Sequence, residues 1–109
     1  MTTYSPGEIV LIAFPYTAGT ETINRPALVI LDTGDAGIVV ARVTTQPHYA
    51  AYDVSITNWS SAGLLAPSWV RLHKLATLEK SLVNRRLGSL PPTDYQQVSA
   101  VMRRTYGTW

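Results

Sequence analysis

Proline and glycine punctuate this sequence at short, regular intervals, and that punctuation constrains the fold more than any other feature. Pro6-Gly7, Pro15, Gly19, Gly34-Asp35, Gly37, Pro47, Gly63, Pro67, Gly88 and Pro91-Pro92 separate short apolar runs. Proline fixes φ and lacks a ladder donor, and glycine reaches turn conformations closed to other residues, so each cluster tends to end an element. Short strands joined by turns, as in a small barrel or sandwich, are the expected outcome. The longest apolar runs, Ile9 to Phe14 and Ala27 to Leu31, fall far below the ~20 residues that a membrane-crossing helix needs. No basic cluster precedes the first of them, so no targeting segment is expected and the protein reads as soluble and cytoplasmic.

Six runs have strand character. Glu8–Phe14 is nearly all apolar, and Arg25–Leu31 is apolar on both faces, which places it centrally in its sheet. Ile38–Gln46 alternates. Val39, Ala41, Val43 and Thr45 share one face, and Ile38, Val40, Arg42, Thr44 and Gln46 share the other. The second set turns polar at its end, so that end meets solvent or substrate. Leu31 to Gly37 makes a hairpin of these two strands, and Tyr52–Ile56, Trp69–Leu78 and Ser81–Leu87 complete the set. After Pro91-Pro92, Thr93 and Gln96 have the spacing of a capping box. Tyr95, Val98, Met102 and Tyr106, with Val101, fall on one helical stripe, and Gly107 can end the helix. The expectation is one domain, residues 1–109, built as a small, mostly antiparallel β-barrel closed by a C-terminal α-helix.

Composition narrows the chemistry. Of 109 residues, 46% are hydrophobic and 15% charged. That is enough for one self-sufficient core and argues against disorder. The charged share is below the usual ~25%, as expected where a partner or a second copy covers part of the surface. There is no cysteine, which excludes a disulfide scaffold, a thiolate zinc site and a cysteine nucleophile. His48 and His73 lie on different segments without metal-ligand spacing, so no metal is expected. Neither a Gly-x-Ser-x-Gly elbow nor a phosphate-cradling glycine loop is present, and no cofactor is expected. Residues 1–70 carry a balance of −3, whereas residues 71–109 carry +5. A basic half fits a polyanionic partner, and equally an ordinary solvated surface.

One convergence of polar and cationic groups remains. Arg25 opens the central strand, directly before Pro26, and its hairpin partner ends in Thr44-Thr45-Gln46. An arginine fork suits a phosphate, and Thr44 adds a hydroxyl donor. Together they could bind a phosphodiester and stabilise the charge that builds on it during cleavage.

The chain resembles the PemK/MazF toxins of bacterial toxin–antitoxin pairs. Pro6-Gly7-Glu8-Ile9-Val10-Leu11, Arg25-Pro26-Ala27-Leu28-Val29-Ile30, Ala41-Arg42-Val43-Thr44-Thr45-Gln46, Ala62-Gly63-Leu64 with Pro67-Ser68-Trp69-Val70-Arg71, and Leu87-Gly88-Ser89-Leu90 carry the likeness in family order. The resemblance implies an SH3-like antiparallel barrel with a C-terminal helix, as in the PemK, MazF and CcdB toxins. It also implies a metal-independent, sequence-selective endoribonuclease acting on single-stranded RNA. There the RNA's own 2′-hydroxyl attacks phosphorus, leaving a cyclic phosphate and a free 5′-hydroxyl. The implied partners are RNA, a cognate antitoxin and a second copy of the chain. The alternative on the same fold is a non-catalytic toxin that binds a protein target such as gyrase.

The family's essential arginine falls on Arg25 and its essential threonine on Thr44. Where some members carry Arg-x-Asp, this chain reads Arg71-Leu72-His73. Histidine titrates near neutral pH and can move the proton that an arginine cannot accept. His73 is therefore assigned to proton transfer, the other reading being a strand histidine held by a neighbour. Thr45, Gln46, Arg71 and Asn24 are the expected substrate contacts. The loop from about Tyr16 to Asn24 is expected over the RNA, with Tyr49 and Trp59 as stacking candidates. Core or dimer packing is the other reading for Trp59.

Overall fold

The punctuated runs become six strands and one helix in the computed structural model, which describes residues 2–15 and 22–109. The strands are β1 (Glu8–Pro15), β2 (Thr22–Asp32), β3 (Gly37–Thr44), β4 (Asp53–Ile56), β5 (Ser68–Glu79) and β6 (Val83–Ser89). They are followed by α1 (Pro92–Tyr106). All neighbouring strands are antiparallel, in the order β4-β5-β3-β2-β1-β6. β2 lies between β1 and β3, as its two-sided apolar pattern requires. The expected strand at Ser81–Leu87 starts later, because Lys80–Leu82 forms a 3-10 turn between β5 and β6.

Both faces of the central strands are buried. On one face Ile9, Leu28, Ala41, Val43, Val70 and Leu72 pack with Val98 of α1 and with Leu64 and Leu90. Trp59 packs against this core, which favours its packing role over base stacking. On the other face Val10, Ile12, Ala27, Val29, Ile38 and Val40 form a second core, capped by Tyr4. Phe14, Leu78, Leu82 and Val83 pack around it.

The sheet is the barrel-like antiparallel arrangement expected from the sequence, with the C-terminal helix packed on one of its faces. Among the described residues no β4–β6 ladder joins the edge strands. The turn after β4 fills that gap instead. A Cβ on Gly63, whose φ is +87°, would stand 2.0 Å from the Leu87 carbonyl oxygen. One on Gly88 would stand 2.4 Å from the Ala62 carbonyl oxygen. The two backbones touch here because both positions lack a side chain.

The start of the helix also differs from expectation. Pro91 is the N-cap, Pro92 takes the first helical turn, and no side chain caps the helix. Thr93 is thus already inside the helix, and the Thr93–Gln96 box does not form. Proline at the first position needs no amide partner. Asp94 supplies the polar anchor. It is fully buried, and its carboxylate accepts the Thr57 N–H at 2.9 Å and the Asn58 N–H at 3.0 Å. The inner stripe therefore runs from Asp94 through Val98 to Val101 and Met102. Tyr95, expected on that stripe, is 43% exposed. Tyr106 closes the far end, its hydroxyl donating to the Leu72 carbonyl at 2.6 Å.

Candidate functional site

The face that carries the second core changes character along its length. Residues paired across an antiparallel ladder share a face. Ala27 pairs with Arg42, Arg42 with Arg71, and Arg71 with Asp53, so these four side chains lie in one row across β2, β3, β5 and β4. Two residues along, Arg25 and Thr44 stand on the same face, with Trp69 opposite Thr44. The face is apolar at Val29, Val40 and Ile38 and becomes cationic and hydroxylic at Arg25, Arg42 and Thr44. The sequence alternation in Ile38–Gln46 is therefore realised.

A cleft of about 370 Å³ opens at this polar end, lined by Arg25, Pro26, Arg42, Val43, Thr44, Thr45, Gln46 and Ser68. It brings together four of the expected residues, Arg25, Thr44, Thr45 and Gln46. Thr44 is buried, and its Oγ1 accepts the Gln46 N–H at 3.1 Å, which turns the chain at the end of β3. A hydroxyl used as acceptor there keeps its own O–H to donate. Ser68 also lines the cleft, but its hydroxyl is committed to the Ala66 carbonyl at 2.8 Å. Asn24 lies outside the cleft lining, its amide oxygen accepting from the Asn84 amide at 2.5 Å. Residues 16–21 of the loop expected over the RNA lie outside the described residues. Tyr49 is almost fully exposed.

Arg71 and His73 stand beside the cleft. Between them the β3–β5 register jumps from Arg42–Arg71 to Ala41–Leu75, so Leu72, His73 and Lys74 form a bulge. Bulges re-aim side chains at the rim of a sheet. This one is secured by Leu72, whose N–H donates to the Tyr52 carbonyl at 3.0 Å while its carbonyl accepts from Tyr106. His73 then packs on the Tyr52 ring, with centroids 5.1 Å apart, and its Nε2 lies 3.5 Å from Arg71 Nη2. Its Nδ1 is buried without a hydrogen-bond partner among the described residues. Arg71 Nε donates to Asp53 Oδ1 at 3.0 Å. Burial opposes ionisation of Asp53, but hydrogen bonds from Arg71 and the Ala50 N–H outweigh it and hold the carboxyl below its usual range.

Two residues here escape a reading of the sequence alone. Arg42 shares the alternation of Thr44 and Gln46, but its place beside Arg71 appears only with the β3–β5 register. Asp53 is 18 positions from Arg71, and no local pattern announces their pairing. Among the described residues no cluster of three or more histidines or carboxylates could hold a metal ion.

Fold and cleft together define a small antiparallel sheet-and-helix protein with an anion-suited pocket at one sheet end. A family profile described as PemK-like, MazF-like toxin of type II toxin–antitoxin system matches residues 5–106. The chain belongs to this family of toxins. No curated protein sequence matches it. An endoribonuclease in complex with its cognate antitoxin, from a mycobacterial species, superposes with a TM-score of 0.78 at 17% identity, over 98% of each chain. Mycobacterium tuberculosis toxin MazF-mt6 gives 0.75 at 19% identity, over 94% of this chain and 99% of that one. At such identities the likeness is one of fold. Among the described residues, no helix is long and apolar enough to cross a membrane.

Proposed function

We propose that this toxin is a metal-independent endoribonuclease that cleaves single-stranded RNA by attack of the 2′-hydroxyl on the adjacent phosphorus. The observation that carries the reading is the meeting of Arg25 and Thr44 in one cleft at the polar end of the sheet. Arg25 supplies the charged fork for a nonbridging phosphate oxygen, and Thr44 supplies an O–H beside it. The attack forms a bond from O2′ to phosphorus and breaks the bond to O5′. The products are a 2′,3′-cyclic phosphate and a 5′-hydroxyl. The proton leaving O2′ needs an acceptor, and O5′ needs a donor. His73 is assigned to this transfer. Thr45 and Gln46 at the cleft wall, with Asn24 and Arg71 at its margin, are assigned to holding the RNA.

The test is incubation of one long transcript with the protein in the presence of a chelator, followed by mapping of fragment ends. Discrete fragments with 5′-hydroxyl ends are expected, and intact RNA would overturn the reading. A solved endoribonuclease of this fold is bound to its cognate antitoxin, and this toxin is assigned an antitoxin likewise. A homodimer is also proposed, on the low charged fraction and on the exposure of Leu31, Leu75 and Tyr95. Light scattering that returned only the 12.0 kDa monomer at micromolar concentration would count against it.

A further inference from the structure

Beside the Arg25–Thr44 cleft, Arg42 and Arg71 stand directly opposite each other on β3 and β5. Like charges paired across a ladder destabilise a sheet unless something offsets them. Asp53 offsets one. Its buried carboxylate takes the Nε of Arg71 and fixes that guanidinium against β4. Arg42 is different. It is exposed, it lines the cleft, and it forms no hydrogen bond or ion pair among the described residues. Beside Arg25, this end of the face thus presents Arg42 and Arg71 against the carboxylate of Asp53, a surplus of positive charge among the described residues.

The spacing gives that surplus a direction. Arg25 and Arg42 occupy diagonal positions on neighbouring strands, which lie ~7–8 Å apart. That separation is comparable with the step between successive phosphates of one nucleic-acid strand. We infer that Arg42, backed by the Asp53-fixed Arg71, forms a second subsite for the RNA phosphate next to the one being cleaved. The inference rests on the ribonuclease reading above and adds to it a binding residue outside the Arg25–Thr44 pair. The RNA strand would run from Arg25 diagonally to Arg42 and on toward Arg71 and Asp53, and the bulge carrying His73 would flank it. An arginine–phosphate contact is charge-assisted and often bidentate, so its loss is felt as ~10-fold or more in the rate with limiting substrate.

The experiment is a double-mutant cycle across the protein–RNA contact. The substrates are short RNAs spanning the mapped cleavage position. In each, a neutral methylphosphonate replaces either the phosphate preceding or the phosphate following the scissile one. For the wild-type protein, kcat/KM should fall ~10-fold or more with one of the two. Arg42→Gln should lose about the same on unmodified RNA and nothing further on that modified RNA. Arg85→Gln is the control. Arg85 is exposed on β6 and pairs with Leu11, on the other face of the sheet, so it should behave as wild type. If the Arg42→Gln and methylphosphonate losses multiply at both positions, or if Arg42→Gln cleaves as wild type, the subsite is wrong. In that case Arg42 is free to serve another anion, such as an acidic antitoxin segment. Failure of the wild-type protein to cut any RNA would instead overturn the ribonuclease reading, and this subsite with it.

Discussion

Arg25 and Thr44 reach one cleft from neighbouring strands, yet they contribute unequally. Arg25 offers a full charge where negative charge grows, so Arg25→Ala should lower the cleavage rate by ~10²-fold or more. Thr44 offers one hydroxyl, and Thr44→Val should cost the same or less. Single-turnover rates on folded variants check both, and a fully active Arg25→Ala protein would remove the main support for catalysis. His73 makes a different prediction. His73→Ala should slow cleavage, because the O2′ proton then loses its assigned acceptor. A folded variant that cleaves at the wild-type rate would reduce His73 to a spacer between Tyr52 and Arg71. Thr44 and Gln46 are legible in the sequence because strand alternation sets them on one face, whereas the place of Arg42 beside Arg71 waits on the β3–β5 register. What surrounds His73 is not legible. Simple alternation sets Arg71 and His73 on one face, but the Leu72–Lys74 bulge decides how His73 meets Tyr52 and Arg71.

Elements meet here through backbone as much as through side chains. The six strands are legible because proline and glycine bound them, and the helix because its apolar stripe repeats. Their junctions are not, since they depend on contacts distant in sequence. Asp94 illustrates this. Its sequence position carries no sign of a tertiary role, yet its carboxylate binds two amides after β4. Thr93, the residue with the capping signature, does nothing of the kind. The contact of Ala62-Gly63 with Leu87-Gly88 is the other such junction, and it carries a prediction. Gly63→Ala would place a methyl 2.0 Å from the Leu87 oxygen at a φ of +87°. The edge must then open, at a cost of ~2 kcal/mol or more. Urea unfolding monitored by tryptophan fluorescence should show an earlier midpoint, and an unchanged midpoint would mean that the two edges are not locked together here.

For the molecule as a whole, acid is the condition that should loosen the end of the sheet remote from the cleft. Asp32, the last residue of β2, gathers three separate parts of the chain. Its carboxylate accepts from Lys80 Nζ at 2.8 Å, from the Tyr4 N–H at 2.8 Å and from the Gly34 N–H at 2.8 Å. The N-terminal segment, the β2–β3 hairpin and the 3-10 turn before β6 therefore share one anion. The Lys80 hydrogen bond first, then the two amides, lower the Asp32 pKa from 3.8 to about 2. A carboxyl whose folded value is depressed stabilises the fold fully above its unfolded pKa, and that stability is lost as pH falls through the folded value. The window for Asp32 is thus from about pH 4 down to about pH 2. Asp35 and Asp53 are also held below their usual range, so acid lability in this window is not by itself diagnostic. The variant separates them. Asp32→Asn keeps the shape but cannot ionise, so it should be less stable than wild type at pH 6, and the difference should shrink as pH approaches 2. Urea midpoints measured at pH 6, 4, 3 and 2 would show the two curves converging, whereas curves that stay parallel through that range would mean that Asp32 does not tie these three segments together.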